Sequence, residues 1–271
     1  MLPTPEQRVT EQGSAVLEVE NLCALDNDNS PALKGVNFAI HQGEILGIAG
    51  VAGNGQSELE EVLMGLRKSS SGRILIHGKD LTNRTPDVII HEGVGYIPED
   101  RTRRGVVAGA SVAENLALKA CSEPPMAYSW FMPSSLRWFL NRNEVDKYVD
   151  AAIQEYEIKT PSRDAPVKTL SGGNLQRLIL AREITRNPKL MVAAQPTGGL
   201  DVGAAEFVRN KLIECKTKGA GVLLISEDLD EILSMSDRIA VIYGGEIVGV
   251  VQRSETNVES LGLMMAGAAR L

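Results

Sequence analysis

The feature that most constrains this chain is the octapeptide Gly50-Val51-Ala52-Gly53-Asn54-Gly55-Gln56-Ser57. It lies between the apolar run Ile45-Leu46-Gly47-Ile48-Ala49 and a helix-forming stretch over 58–66. A strand, a glycine-rich turn and a helix with Ser on its first turn form a phosphate cradle, because backbone N–H groups and the helix dipole converge on one point. The spacing Gly-x-x-x-x-Gly-x-Ser is met, but Gln56 stands where such a loop carries lysine. Gly50, Gly53, Asn54, Gly55, Gln56 and Ser57 are thus candidate nucleotide contacts, with Ser57 also a candidate magnesium ligand.

The rest of the chain supplies the frame such a loop needs. Val16-Leu17-Glu18-Val19-Glu20 and the stretch 33–40 approach strand alternation and predict an antiparallel edge. Strands are predicted over 73–76, 94–97, 190–194, 222–225, 238–242 and 247–251, and helices over 172–185, 203–217, 228–234 and 257–266. Apolar strands alternating with helices imply an α/β domain with a parallel sheet covered on both faces. Residues 111–119 and 143–157 have helical periodicity. Between them, Pro124, Pro125 and Pro133 interrupt a segment that, with Tyr148, holds six of the eleven aromatics: Tyr128, Trp130, Phe131, Trp138 and Phe139 are the others. This predicts a helical subdomain inserted at about 105–186. Its rings have two readings, the core of the insert or, for Trp130 and Phe131, a docking surface. Residues 1–14 read as a leader or linker before a domain spanning 15–267.

Composition excludes several classes. A net charge of −7 gives no footprint for nucleic acid. The one basic cluster, Arg101-Thr102-Arg103-Arg104, reads as a solvated loop, and His41, His77 and His91 read as surface residues. No stretch approaches the roughly 20 apolar residues of a membrane helix, and the N-terminus lacks a basic region followed by an apolar one. The expectation is a soluble chain that is not secreted. Three cysteines without C-x-x-C spacing fit a reducing compartment and argue against disulfides or zinc.

A second motif narrows the reading. Leu170-Ser171-Gly172-Gly173-Asn174-Leu175-Gln176-Arg177, followed by Pro196-Thr197 and Leu200-Asp201, resembles the signature of ATP-binding cassette (ABC) ATPases, and the resemblance runs from about 15 to 267. In purely local terms Ser171 and Asp201 are N-caps of their helices. The resemblance implies a P-loop nucleotide-binding domain using ATP and Mg2+. Its signature Ser171, Gly172, Gly173 and Asn174 would close on nucleotide held by another subunit, and Asp201 would communicate across the dimer. The stretches 96–101 and 194–204 look like the second cassette of fused two-cassette importers of simple sugars and, more closely, nucleosides. That implies a first ABC cassette as a probably fused partner, transmembrane permease subunits, an indirect substrate-binding protein, and a cytoplasmic, peripheral position on the inner face of the membrane.

Against that pattern the chain has losses. Where the family ends a strand in Asp-Glu, this chain has Ala194-Gln195. Gln195 can hold a water but cannot take its proton, and general-base catalysis is worth about 10²–10⁴-fold. Exchange of lysine for Gln56 removes a charge-assisted contact worth roughly 1.5–3 kcal/mol. Glu99 replaces the usual Gln after Tyr96-Ile97-Pro98, and Glu227 stands at the switch-histidine position. No ring lies near 22–26 to stack on adenine, where Leu22 or Leu25 offers only an apolar contact. The expectation is a cassette with a degenerate ATP site of its own, weak in nucleotide, and an intact signature that completes its partner's site. The alternatives are a non-nucleotide-binding interaction module that docks the partner cassette on the membrane subunits, a soluble ABC protein of translation or repair, and a P-loop kinase. The last two fit the acidic charge, the importer-like stretches and the signature less well.

Overall fold

The computed structural model describes residues 14–121 and 141–270. The chain opens with β1 (Ala15–Leu25), β2 (Pro31–His41) and β3 (Ile45–Ala49), then α1 (Gln56–Leu63), β4 (Ser71–Ile76), β5 (Lys79–Asp80), α2 (Pro86–His91) and β6 (Val94–Ile97). The inserted helices α3 (Val112–Ala117) and α4 (Arg142–Glu155) follow, then α5 (Gly172–Ile184), β7 (Leu190–Ala194), α6 (Val202–Thr217), β8 (Gly221–Ser226) and α7 (Leu229–Met235). The final elements are β9 (Arg238–Tyr243), β10 (Glu246–Gln252) and α8 (Val258–Met265).

A six-stranded sheet in the order β10-β9-β3-β8-β7-β6 carries the P-loop strand β3 between β9 and β8. Its ladders are parallel except where β10 joins β9. The predicted antiparallel edge is realised as a sheet of its own, β2-β1-β4-β5. β3, β7 and β8 are buried throughout, which explains why they read as unbroken apolar runs.

The period of two along these strands divides the interior into two layers. Ile45, Ala49, Met191, Ala193, Val222 and Leu224 pack with residues of α4, α5, α6 and α8. Leu46, Ile48, Leu190, Val192, Leu223 and Ile225 pack instead with α1 and the antiparallel sheet. The central sheet is therefore clamped between a helical layer and a layer made of α1 and β1, β2 and β4.

The described helices agree with the predicted ones to within a few residues at each end. α2 was not predicted; its signals are Thr85 as N-cap and Pro86 in the first turn. The rings from Tyr128 to Phe139, and the leader up to residue 13, lie outside the described residues. Tyr148 is half-buried on α4, and its hydroxyl meets Thr185 Oγ1 at 2.6 Å.

Candidate functional site

β3 delivers the chain into the P-loop at the carboxyl edge of the parallel sheet, where open α/β sheets place ligands. Two glycines of the loop have backbone reasons. Gly55 caps α1 in the left-handed region at φ 106°, and a Cβ there would meet Ala32 O and Leu33 Cδ2 at 2.9 Å. At Gly50 a Cβ would lie 2.6 Å from Ile242 Cγ2 and 2.7 Å from Gln56 Nε2.

The Gln56 side chain folds back into this loop and is buried. Its Nε2 donates to Val51 O at 3.0 Å, and its Oε1 accepts the Asn54 N–H at 3.1 Å. The Asn54 carboxamide donates to Val51 O at 2.8 Å and accepts the Gly244 N–H at 2.7 Å. Gly245 N–H donates to Asn54 O at 3.1 Å, while Lys34 donates to Gly244 O from Nζ and to Gly245 O from its backbone N–H, both at 2.8 Å. The loop is thereby tied to the β9–β10 turn and to β2.

Ser57 and Glu99 are brought together: Ser57 Oγ donates to Glu99 Oε2 at 3.2 Å, and both are exposed. Behind them on α1, Glu60 is buried. Burial pushes its pKa up to about 7, with the charges of Glu99 and Glu61 adding to the shift and the Tyr96 hydroxyl and Arg104 opposing it.

A second group forms at the ends of β7 and β8. Gln195 adopts φ 45°, and its Oε1 accepts from Ser226 Oγ at 3.5 Å and from the Glu227 N–H at 3.4 Å. Ala194 is buried in the core. Thr197 Oγ1 donates to buried Glu231 at 2.7 Å, fixing the turn that follows.

The signature forms a third group. Ser171 caps α5, accepting from Asn174 N–H at 3.4 Å and from Asn174 Nδ2 at 2.9 Å. Asp201 caps α6 by accepting the Ala204 N–H at 2.9 Å. Both line one cleft of about 470 Å³ with Gly173, Lys159 and Arg177. Ser171 and Asp201, thirty positions apart in sequence, are placed on one surface by the fold.

The sequence profile of the family described as ABC transporter matches residues 33–198, more than half of the chain. This chain belongs to the ABC transporter family. It is 43% identical over 265 residues to the guanosine import ATP-binding protein NupO of Bacillus subtilis, a match covering 98% of this chain and 50% of that protein. It is 42% identical over 269 residues to the glucose import ATP-binding protein TsgD13 of Haloferax volcanii, covering 98% of this chain and 48% of that protein. The chain therefore spans about half the length of these curated relatives. A solved nucleotide-free ATP-binding cassette from an ABC transporter superposes with a TM-score of 0.73 at 27% identity, covering 91% of this chain and 96% of that one.

For an ABC cassette the expected ligand is magnesium-bound ATP, and the residues fit it unevenly. Ser57 Oγ beside a Glu99 carboxylate is a donor pair of the kind that holds Mg2+ together with substrate phosphates. Among the described residues no group of three His, Cys, Asp or Glu is placed to hold a metal by itself. The phosphate corner does not fit as it stands, since the Asn54 N–H is already taken by Gln56. Of the two leucines expected near adenine, Leu22 is fully buried and Leu25 is exposed.

The basic cluster is exposed over 102–104, as a solvated loop would be, but two of its arginines have fixed partners. Arg101 is half-buried and donates to Gly198 O, and Arg104 pairs with Glu61 and, at 3.5 Å, with Glu60. Arg103 stands out into solvent 3.7 Å from Asp100, and Arg104 is exposed although it is paired. The histidines are only partly as expected: His91 is exposed, while His41 and His77 are half-buried.

A larger cleft of about 730 Å³ opens beside α1, α2 and the loop after β6. Exposed Leu66, Val107 and Leu118 line it with Arg103 and Arg104. No helix among the described residues is long and apolar enough to cross a membrane.

Proposed function

We propose that this chain is the second, C-terminal cassette of a fused importer ATPase for simple sugars or nucleosides. Its own ATP site is degenerate, and its signature completes the competent site of the first cassette. The observation that carries this reading is the contrast within one chain: Ser171, Asn174 and Asp201 line an open cleft, whereas the P-loop lacks its lysine and Gln195 stands in place of a general base. Relatives twice as long, named for guanosine and glucose import, support the fused arrangement and the substrate classes. Magnesium-ATP binding at this chain's own P-loop is weak or absent on this account.

In this role the chain works on the cytoplasmic face of the membrane, held there by permease subunits, and is served indirectly by a substrate-binding protein. The 730 Å³ cleft, with apolar walls beside four arginines, suits a permease helix. The test is ATP turnover of the fused protein carrying Ser171→Arg. A bulky cation at the helix start removes the anion site, and the expected loss is roughly 100-fold, the scale seen for loss of a transition-state donor. Undiminished turnover overturns the reading. It favours instead a module that never contacts nucleotide and only docks the partner cassette on the membrane subunits, a reading that the same cleft supports.

A further inference from the structure

A P-loop binds phosphate by leaving several backbone N–H groups without partners until the ligand arrives. Here the Asn54 N–H is satisfied internally, by an oxygen that belongs to the residue at the lysine position. A lysine has three donors and no acceptor, so it cannot do this. Glutamine has both, and in this chain both are used: the oxygen toward Asn54 and the nitrogen toward Val51 O. The side chain is buried in the hollow of the loop, and its nitrogen lies 2.7 Å from where a Gly50 methyl would sit. Asn54 is also held from outside by the Gly244 and Gly245 amides. The loop is therefore braced around an occupant supplied by its own chain.

We propose that Gln56 is an internal substitute for the nucleotide phosphate: its carboxamide fills the hollow of the 50–57 loop and takes the Asn54 N–H, closing the loop to phosphate-bearing ligands. The inference rests on the reading of this chain as a cassette with a degenerate site, and it assigns the cause to a residue. It differs in sign from a simple loss of lysine charge. If Gln56 were only a missing cation, Gln56→Ala would leave binding unchanged or weaker. If Gln56 occupies the hollow, the same truncation frees the donor and the space, and binding rises.

The experiment is calorimetric titration of magnesium-ATP into the chain and into Gln56→Ala, with the Asn54 amide followed by hydrogen exchange in the native chain. The expected result is a protected Asn54 amide and at least about tenfold tighter binding by Gln56→Ala, the gain from one recovered hydrogen-bond site. Binding no tighter than native overturns the proposal. Should Gln56→Ala fail to fold, Gln56→Ser repeats the test with a polar side chain too short to reach Asn54. An unprotected Asn54 amide in the native chain overturns the proposal without any variant. None of these measurements involves Ser171, so a gain on truncation combined with unaffected turnover in Ser171→Arg keeps the closed loop and discards the role in the partner's site; the opposite pair of results does the reverse.

Discussion

The P-loop and the signature each place glycines at the start of a helix, and the two starts are finished in opposite ways. The turn before α1 has no side-chain cap; Gly55 enters the helix in the left-handed region, and the loop's hollow holds Gln56. The start of α5 has a serine cap, the glycines of its first turn have room around them, and it opens onto a cleft shared with Asp201. The most deeply buried acids of the two helices, Glu60 on α1 and Glu183 on α5, also differ. Burial alone would raise the pKa of Glu183 on α5, but Lys119 at 2.6 Å and Arg182 at 2.8 Å outweigh it and hold the carboxyl below its usual range. Glu60 on α1 has only the Tyr96 hydroxyl and Arg104, at 3.5 Å, to oppose burial, and they fall short: its pKa is pushed up to about 7. The P-loop satisfies the Asn54 N–H within its own chain, while the signature borders an open cleft.

The sharpest way to break this comparison is to add a methyl group at each turn. At Gly55 both the left-handed backbone and the contacts with Ala32 and Leu33 oppose a Cβ, so Gly55→Ala is expected to cost about 3 kcal/mol. At Gly172 the nearest atom to an added Cβ is an Arg101 nitrogen at 3.9 Å, and Gly172→Ala is expected to change stability by less than about 0.5 kcal/mol. Denaturant unfolding checks both. Equal costs would show that the two turns do not differ as described.

The buried acid gives the next effect. The Glu60 pKa in the fold lies above the ordinary 4.5, so the folded chain binds the proton more tightly than the unfolded one. The stabilisation is complete below pH 4.5 and is lost as pH rises to about 7. Glu60→Gln removes this dependence and is expected to be more stable than the native chain by about 2–3 kcal/mol at pH 8, with little difference at pH 4. Melting temperatures across that range test the sign directly.

The smallest effect concerns the signature cleft. Asp201→Ala loses the cap of α6 and is expected to cost about 1 kcal/mol, whereas Asp201→Asn keeps an acceptor and costs a few tenths. If Asn also abolishes turnover of the fused protein while leaving stability intact, the charge of Asp201 serves the partner and not the helix.

Much of the architecture was legible because burial imprints period on a chain. β3, β7 and β8 announced themselves as continuous apolar runs, and α5 and α6 as helices begun by Ser171 and Asp201. Both motifs were also visible, since each is a short contiguous string. What stayed hidden depends on distance along the chain. That Gly244 and Gly245 form a turn is plain from their identity; that this turn receives Asn54 and Lys34 is not. Arg101 and Arg104 looked like solvated charge because their partners, Gly198 and the acids of α1, lie far from them in sequence. The loss of lysine at residue 56 was readable as subtraction, but what the glutamine does instead required the folded loop.

The Gly244–Gly245 turn has a practical consequence. A two-glycine hairpin tip is ordinarily where a tag or a reporter domain can be spliced in without harm. Here the tip is a keystone: a Cβ at Gly245 would lie 2.3 Å from Ala32 O, and the turn holds the P-loop on one side and β2 on the other. An insertion at that tip would loosen three segments drawn from both sheets at once, so the hairpin that looks most expendable is among the least suited to carry a passenger.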